Sequence, residues 1–469
     1  MRLAVLLLVA CTASGPDALD APDAHAGDDG APDAGRGDDG APDAGRGDGG
    51  LTDGGVAPAV VVDRLLLDNA DGTERLNLEL APKGRWATLN EREGRAGPVR
   101  PVLFRVEANG ALTRRCAFDV ALSIRGSMQL GEAAGETFAV GLRQDTRSFV
   151  VLTPRDEGPC DAMLAEVPVR LPAELTPQLN NPYPVRGHDG ARLVAFHRHD
   201  EDADRESVYL QDLDAEAVAT LVWEASRPRG RSFGTFISVA RWPEGEARFV
   251  AGRWVDGVVQ AYETTLEAGM LRSRALTRGA ANLPDVFPFR AGGRGYLLTN
   301  DGGGPDGLLL AEADEGGAYT ERATVAYDAG QSAVEGRASS ALSFEVFRWD
   351  GDLYATYQVA DRDDRGPGCR GVNCTWNELW MAAFTEDAAG TLAGVRATCR
   401  ISAAPTDPAF RAKVDPEPVV TAAGLRVFYQ RSDLTRPPGQ PGNQLAVLEI
   451  ADRAAFDAAC AAGRAFPAP

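Results

Sequence analysis

Seven times along this chain a run of aromatic or branched residues leads into an acidic turn, and a second apolar run follows. The leading runs are WATLNE (86–91), FAVGLRQD (138–145), LVAFHRHD (193–200), FVAGRWVD (249–256), YLLTND (296–301), YATYQVAD (354–361) and VFYQRSD (427–433). Their partners start at VLFRV (102), FVVL (149), VYLQDL (208), VVQAY (258), LLLAEA (308), LWMAAF (379) and LAVLEI (445). Short runs rich in Val, Phe, Tyr and Leu, joined across a polar turn, predict β-hairpins. Helical spacing is confined to the stretch from Ala454 to Ala462. The fold class read from the pattern is therefore all-β.

The hairpins begin 47 to 58 residues apart, except for the last interval of 73. That interval carries an inserted loop, DRDDRGPGCRGVNCTW. Four strands and their turns need roughly 40 to 60 residues, the size of one propeller blade. The runs are apolar on both faces, as they must be if each sheet is covered by a neighbour on either side. The repeat thus resembles a β-propeller over residues 56–469, with seven blades and, as alternatives, six or eight. The resemblance rests on periodicity: Trp349-Asp350 is an isolated WD pair, and the aspartate box of sialidases is missing. A ring of sheets is usually closed by a strand from one terminus, and VVVDRLLLD (60–68) has no hairpin partner nearby. It is expected to pair into the last blade.

What precedes the domain is of a different kind. Arg2 and the apolar run Leu3 to Ala10 are too short to span a hydrocarbon core, which needs about 20 residues, and have the features of a secretory signal peptide. Leu8-Val9-Ala10-Cys11 resembles the bacterial lipobox, which implies cleavage before Cys11 and lipidation of its sulfur. The plain alternative is a secreted protein with a cysteine at the cleavage point. Thr12, where these lipoproteins carry Asp for inner-membrane retention, points to the outer membrane. Residues 11–55 then form a tether: eleven Asp against two Arg, an exact ten-residue repeat and almost no aliphatic side chain predict disorder. As a flexible coil it would reach on the order of 40 Å.

The formal charge of −20 is only partly the tether's, so the domain itself is acidic and offers no basic footprint for nucleic acid. Beyond Cys11 six cysteines remain, an even number that reads as disulfides in an exported chain. Proximity in sequence suggests Cys116 with Cys160, Cys369 with Cys374 and Cys399 with Cys460, among fifteen connectivities. The spacing fits no zinc pattern.

Candidate chemistry is sparse. In HRHDEDADRES, His197 and His199 should share a strand face, with Asp200, Asp202 and Asp204 on the turn, and could hold a metal; a solvated hairpin tip is the ordinary reading. DGGGPDG (301–307) resembles propeller calcium loops through Asp301 and Asp306. No motif demands a cofactor, and calcium is the one ion these loops suggest. Asp285, Glu345 and Asp415 each precede the first strand of a hairpin and are the catalytic candidates, since paired carboxylates can act as acid, base or nucleophile on a glycan. VDPEPVV before GLRVFY loosely resembles propeller glycosidases, although Asp-Pro is also a common turn starter. The acidic turn residues Glu91, Asp145, Asp200, Asp256, Asp301, Asp361 and Asp433 would line one rim, and Trp376 would end a loop clamped by Cys369 and Cys374.

Two function classes follow. The favoured one is a monomeric envelope protein, anchored to the membrane through Cys11, that binds a protein or glycan and catalyses nothing. The other is an envelope glycan hydrolase or lyase.

Overall fold

The computed structural model describes residues 60–463 apart from single residues and short stretches, the longest being 228–236, 239–247, 366–374, 403–411 and 433–441. Seven four-stranded antiparallel sheets make up the domain. Blade one is Thr73–Leu80, Trp86–Glu93, Val99–Val106 and Leu112–Ala117. Blades two to six repeat this order, opening with Gln129–Ala133, Leu179–Arg186, Ile237–Ser238, Val286–Ala291 and Ala338–Trp349. Blade seven combines Ala412–Thr421, Gly424–Ser432 and Asn443–Ile450 with Val62–Leu67 from the other end of the chain. The first strands touch in succession from blade one to blade seven and back to one. They therefore form a closed inner ring around a central channel, and the chain is a seven-bladed β-propeller.

The predicted hairpins are the second and third strands of each blade, and their apolar runs pack where the periodicity required. Each hydrophobic cluster spans neighbouring blades: Phe104 and Leu78 of blade one meet Phe428 and Val447 of blade seven, for instance, while Leu103 and Leu76 meet Val150 and Ala139 of blade two. Both faces of an inner sheet are thus dry, which is why strict alternation is missing from the sequence. The closing strand behaves as expected, pairing antiparallel with Asn443–Ile450 from Val62 opposite Glu449 to Leu67 opposite Leu445. Tyr429 donates its hydroxyl proton to Asp63 at 2.7 Å, fixing that strand from inside the blade. The helix expected near Ala454 spans Arg453–Ala461, capped by the Asp452 side chain on the Ala455 N–H.

Two of the three expected disulfides are present. Cys116–Cys160 ties the outer strand of blade one to a short turn of helix ahead of the outer strand of blade two. Cys399–Cys460 ties blade six to the C-terminal helix. Cys369 and Cys374 lie outside the described residues, as do Cys11 and the whole of 1–59. No helix among the described residues is long and apolar enough to cross a membrane.

Candidate functional site in the central channel

The inner ring carries a feature that recurs in four blades. Asn77, Asn181, Ser343 and Asp415 all have positive φ, between 45° and 61°, and all sit at a register break in a first strand. In each case two residues of the first strand oppose one residue of the second, which is a β-bulge. A bulge takes one N–H out of the ladder and re-aims the side chains around it. A buried N–H needs another acceptor, and the preceding blade supplies it. Gln430 of blade seven accepts from the Asn77 N–H at 3.1 Å, and Gln358 of blade six accepts from the Asp415 N–H at 2.9 Å. Asp285, just ahead of the first strand of blade five, accepts from the Ser343 N–H at 2.6 Å.

The bulges bring three carboxylates from three successive blades into one another's field. Glu79 lies two residues beyond Asn77, as Glu345 lies beyond Ser343 and Glu417 beyond Asp415. Asn77 Nδ2 and Gln129 Nε2 of blade two both donate to Glu79 Oε1, at 2.9 and 2.8 Å. Burial, reinforced by the charges of Asp415 and Glu345, pushes the Glu79 carboxyl well above the ordinary carboxylate range. Glu79 is enclosed by protein yet keeps part of its surface accessible to water. The two observations agree if its carboxyl is on the wall of a narrow, wet channel.

Glu345 and Asp415 lie in the first strands of blades six and seven, ahead of their hairpins as expected, and the charge of each reaches Glu79, while Asp285 stands apart in a clamping role. Glu79 and Glu417 escaped the sequence reading. The signal was present: Asn77-Leu78-Glu79, Ser343-Phe344-Glu345 and Asp415-Pro416-Glu417 share one spacing, and Asn90, Gln358 and Gln430 are polar intrusions at one register position of the otherwise apolar second strands.

Asp285 is 7% exposed, and burial pushes its carboxyl up to about 6, although the N–H groups of Ser343 and Val286 hold it down. Between the unfolded value of 3.8 and about 6 the folded state keeps a proton that the unfolded chain has lost. Stability should therefore fall as pH rises through that window, by no more than about 3 kcal/mol. Urea unfolding of wild type and Asp285→Asn between pH 4 and 7 checks this: the difference between the two should change in that window, and parallel profiles would remove Asp285 as its source.

The other candidates have structural surroundings. His197 and His199 do share a face, with rings 6.0 Å apart and nearly parallel, but they are buried within the second strand of blade three instead of at a solvated tip. His197 meets Trp223 edge-on, and His199 Nδ1 is 3.8 Å from Glu206. Asp200 accepts the Ala203 N–H at 3.0 Å and pairs with Arg198. Asp306 accepts the Tyr327 N–H at 2.6 Å. Asp202 and Asp301 lie outside the described residues. No group of three or more His, Cys, Asp or Glu poised for a metal occurs among the described residues. Of the acidic rim, Glu91 is paired with Arg114 and Asp145 accepts the Arg147 N–H, so these positions do ordinary turn and ion-pair duty. Asp433 and the side chains of Asp361 and Trp376 lie outside the described residues.

A cavity of about 590 Å³ opens where the first strands end. Blades one, five, six and seven all contribute to it, so it lies at a mouth of the channel. Phe289, Val346 and Val419 are among its apolar walls, and Arg85, Arg290 and Arg348 stand around it. Glu386 holds Arg348 through two hydrogen bonds of 2.7 and 2.9 Å, and the Gly293 carbonyl accepts from Arg290 at 3.0 Å. The channel carboxylates are not part of this lining.

No family model matches this chain, and no curated protein does. Similar solved structures include an oligogalacturonate lyase in complex with manganese, at 12% identity over 84% of this chain and 98% of that one, with a TM-score of 0.47. Apo AztD from Citrobacter koseri is 14% identical over 84% and 96% of the two chains, with a TM-score of 0.42. TolB from Acinetobacter baumannii is 12% identical over 75% and 76%, with a TM-score of 0.33. At these identities the likeness concerns the fold alone.

Proposed function

We propose that this chain is an exported, lipid-anchored protein of the cell envelope, outer membrane rather than inner, whose propeller binds a protein or glycan ligand without transforming it. The observation that carries the binding reading is the mouth cavity: apolar side chains such as Phe289, Val346 and Val419 share its lining with Arg85, Arg290, Arg348, Glu107 and Thr421, and the channel carboxylates Glu79, Glu345 and Asp415 do not reach it. Such a concave, largely preformed site, with arginines held by fixed partners, suits recognition. The lipobox, the tether and two disulfides support an anchored protein in an oxidising compartment.

Binding of the full chain to glycan and peptide arrays tests the reading. The double variant Arg290→Glu, Arg348→Glu should weaken the best ligand at least tenfold with little change in melting temperature, and Cys11→Ser should release the protein from the membrane fraction. One observation favours a second reading, an envelope glycan hydrolase or lyase: burial and the charges of Asp415 and Glu345 hold the Glu79 carboxyl well above the ordinary carboxylate range, as a general acid is held by its partner carboxylates. Turnover of an envelope glycan that disappears in Asp415→Asn would replace the first reading with this one.

A further inference from the structure

Two arginines at the mouth cavity are set there by a construction that repeats. Arg290 and Arg348 are each the next-to-last residue of a first strand, in blades five and six. Each is followed by a tight turn with positive φ at both central positions, Gly292 and Gly293 in one blade, Asp350 and Gly351 in the other. Each donates from Nη1 to the carbonyl three residues on, Gly293 at 3.0 Å and Gly351 at 2.6 Å. A turn of this kind matches the twist of its strands and fixes the direction of its carbonyls. Neighbouring blades therefore hold their guanidiniums at equivalent positions.

Arg348 shows what such a group has left to offer. A guanidinium has five N–H donors in one plane. Glu386 takes one from Nη1 and one from Nη2, at 2.9 and 2.7 Å, and the Gly351 carbonyl takes the second on Nη1. The two that remain, on Nε and Nη2, lie side by side along one edge of the plane and make a second fork of carboxylate width. The side chain is 45% exposed, which leaves that edge within reach of a ligand. Arg85 joins the lining from blade one, its guanidinium carbon 5.9 Å from the centre of the Trp86 ring and its Nη2 bonded to Asp156. Against these three arginines the lining has one carboxylate, Glu107, itself 3.8 Å from Arg105; Glu386 and Asp156, which fix two of the arginines, are not part of it. The lining thus has the opposite sign to a chain whose formal charge is −20.

The remaining surface favours a sugar over a peptide. Phe289, Val346 and Val419 are buried by packing between blades, and among the aromatic and branched side chains of the lining it is Val420 that is well exposed, at 38%. A peptide is held chiefly by apolar anchors seated in pockets, and this mouth has little apolar surface left to seat them. A sugar, with hydroxyls along its ring, is held by hydrogen bonds instead.

We propose that the mouth cavity binds a carboxylate-bearing glycan, with a uronate carboxylate on the second fork of Arg348 and the positive charges of Arg290 and Arg85 at the same mouth. The inference deepens the binding reading above and rests on it.

The experiment titrates the full chain with uronate oligosaccharides from alginate, hyaluronan and polygalacturonate, with their carboxyl-reduced counterparts and with tetraglutamate. At least one uronate should bind about tenfold more tightly than its carboxyl-reduced form, the ordinary loss for a charged hydrogen bond, and should weaken as salt rises. Arg348→Lys keeps the charge but not the fork and should cost that uronate a similar factor. Arg290→Gln should weaken it as well, and serves if the first variant does not fold. Absence of uronate binding at millimolar concentration, or equal affinity in wild type and both variants, overturns the inference. A carboxyl-reduced glycan that binds as tightly as its parent, and is lost in the Arg290→Glu, Arg348→Glu double variant, overturns it too but leaves the mouth reading standing. Uronate binding that the double variant leaves unchanged removes both. Tetraglutamate bound more tightly than every uronate overturns the inference in favour of an acidic peptide.

Discussion

A chain lacking residues 60–68 should unfold about 10 °C below the intact protein. Those residues supply the outer strand of blade seven, so their loss leaves blades one and seven held by the contacts between their facing sheets, such as the Asn77 N–H to Gln430, without the strand that carries the chain from one blade into the other. Val61, 2% exposed, leaves the cluster shared by blades six and seven. The ladder to Asn443–Ile450 goes, and with it the Asp63 acceptor of the buried Tyr429 hydroxyl. Burial of one aliphatic side chain contributes about 2 kcal/mol and the lost hydrogen bonds a few more, for a total on the order of 5 kcal/mol. In a domain of this size 1 kcal/mol moves the midpoint by roughly 2 °C. The deletion should also broaden the transition, since the ring can open at its seam. A variant beginning at Gly84, which loses the first strand of blade one as well, should fall further. Identical melting curves for either truncation and the intact chain would refute closure by this strand.

Removing the disulfides should have an effect of similar size. Cys116–Cys160 closes a loop with a sequence separation of 44 and Cys399–Cys460 one of 61. The chain-entropy model gives about 4 kcal/mol for loops of this length. Each pair of Cys→Ala substitutions should therefore lower the urea midpoint clearly, and the two effects should add because the bridges staple different seams. The second bridge has a local signature too: without it, amide exchange in Arg453–Ala461 should speed up before the blades are affected, since the bonded Cys460 and the buried Phe456 are what dock that helix. Losses below 1 kcal/mol for both pairs would show that packing between blades holds these seams unaided.

The fold was legible in the sequence because it is a repeat. A blade cannot bury its two faces alone, so every inner sheet needs apolar residues on both sides, and that demand shows as a run of similar length recurring every fifty residues or so. The unpaired VVVDRLLLD had no local partner, and a ring of sheets offered one place for it. Cysteine pairing by proximity succeeded for Cys116–Cys160 and Cys399–Cys460 because neighbours in sequence lie on neighbouring blades.

The site was legible only in fragments. Glu345 and Asp415 were found as acidic residues ahead of apolar runs, but their use depends on bulges, and a bulge is set by register between strands. One residue of slip turns a side chain from one face to the other, and nothing local in Asn77-Leu78-Glu79 announces it. The solvated-tip reading of His197 and His199 failed for a related reason: both lie within the second strand of blade three and are buried there, His197 against Trp223 of the same sheet. Hydrophobic period, turn chemistry and cysteine order act between residues close in the chain, so the sequence alone pointed to a ring of about seven blades, its closing strand and the two bridges, and the tertiary structure settled the number and the pairing. Which carboxylates share a channel is a matter of residues hundreds of positions apart, Glu79 beside Asp415 above all. Only closing the ring brings their charges close enough to act on one another.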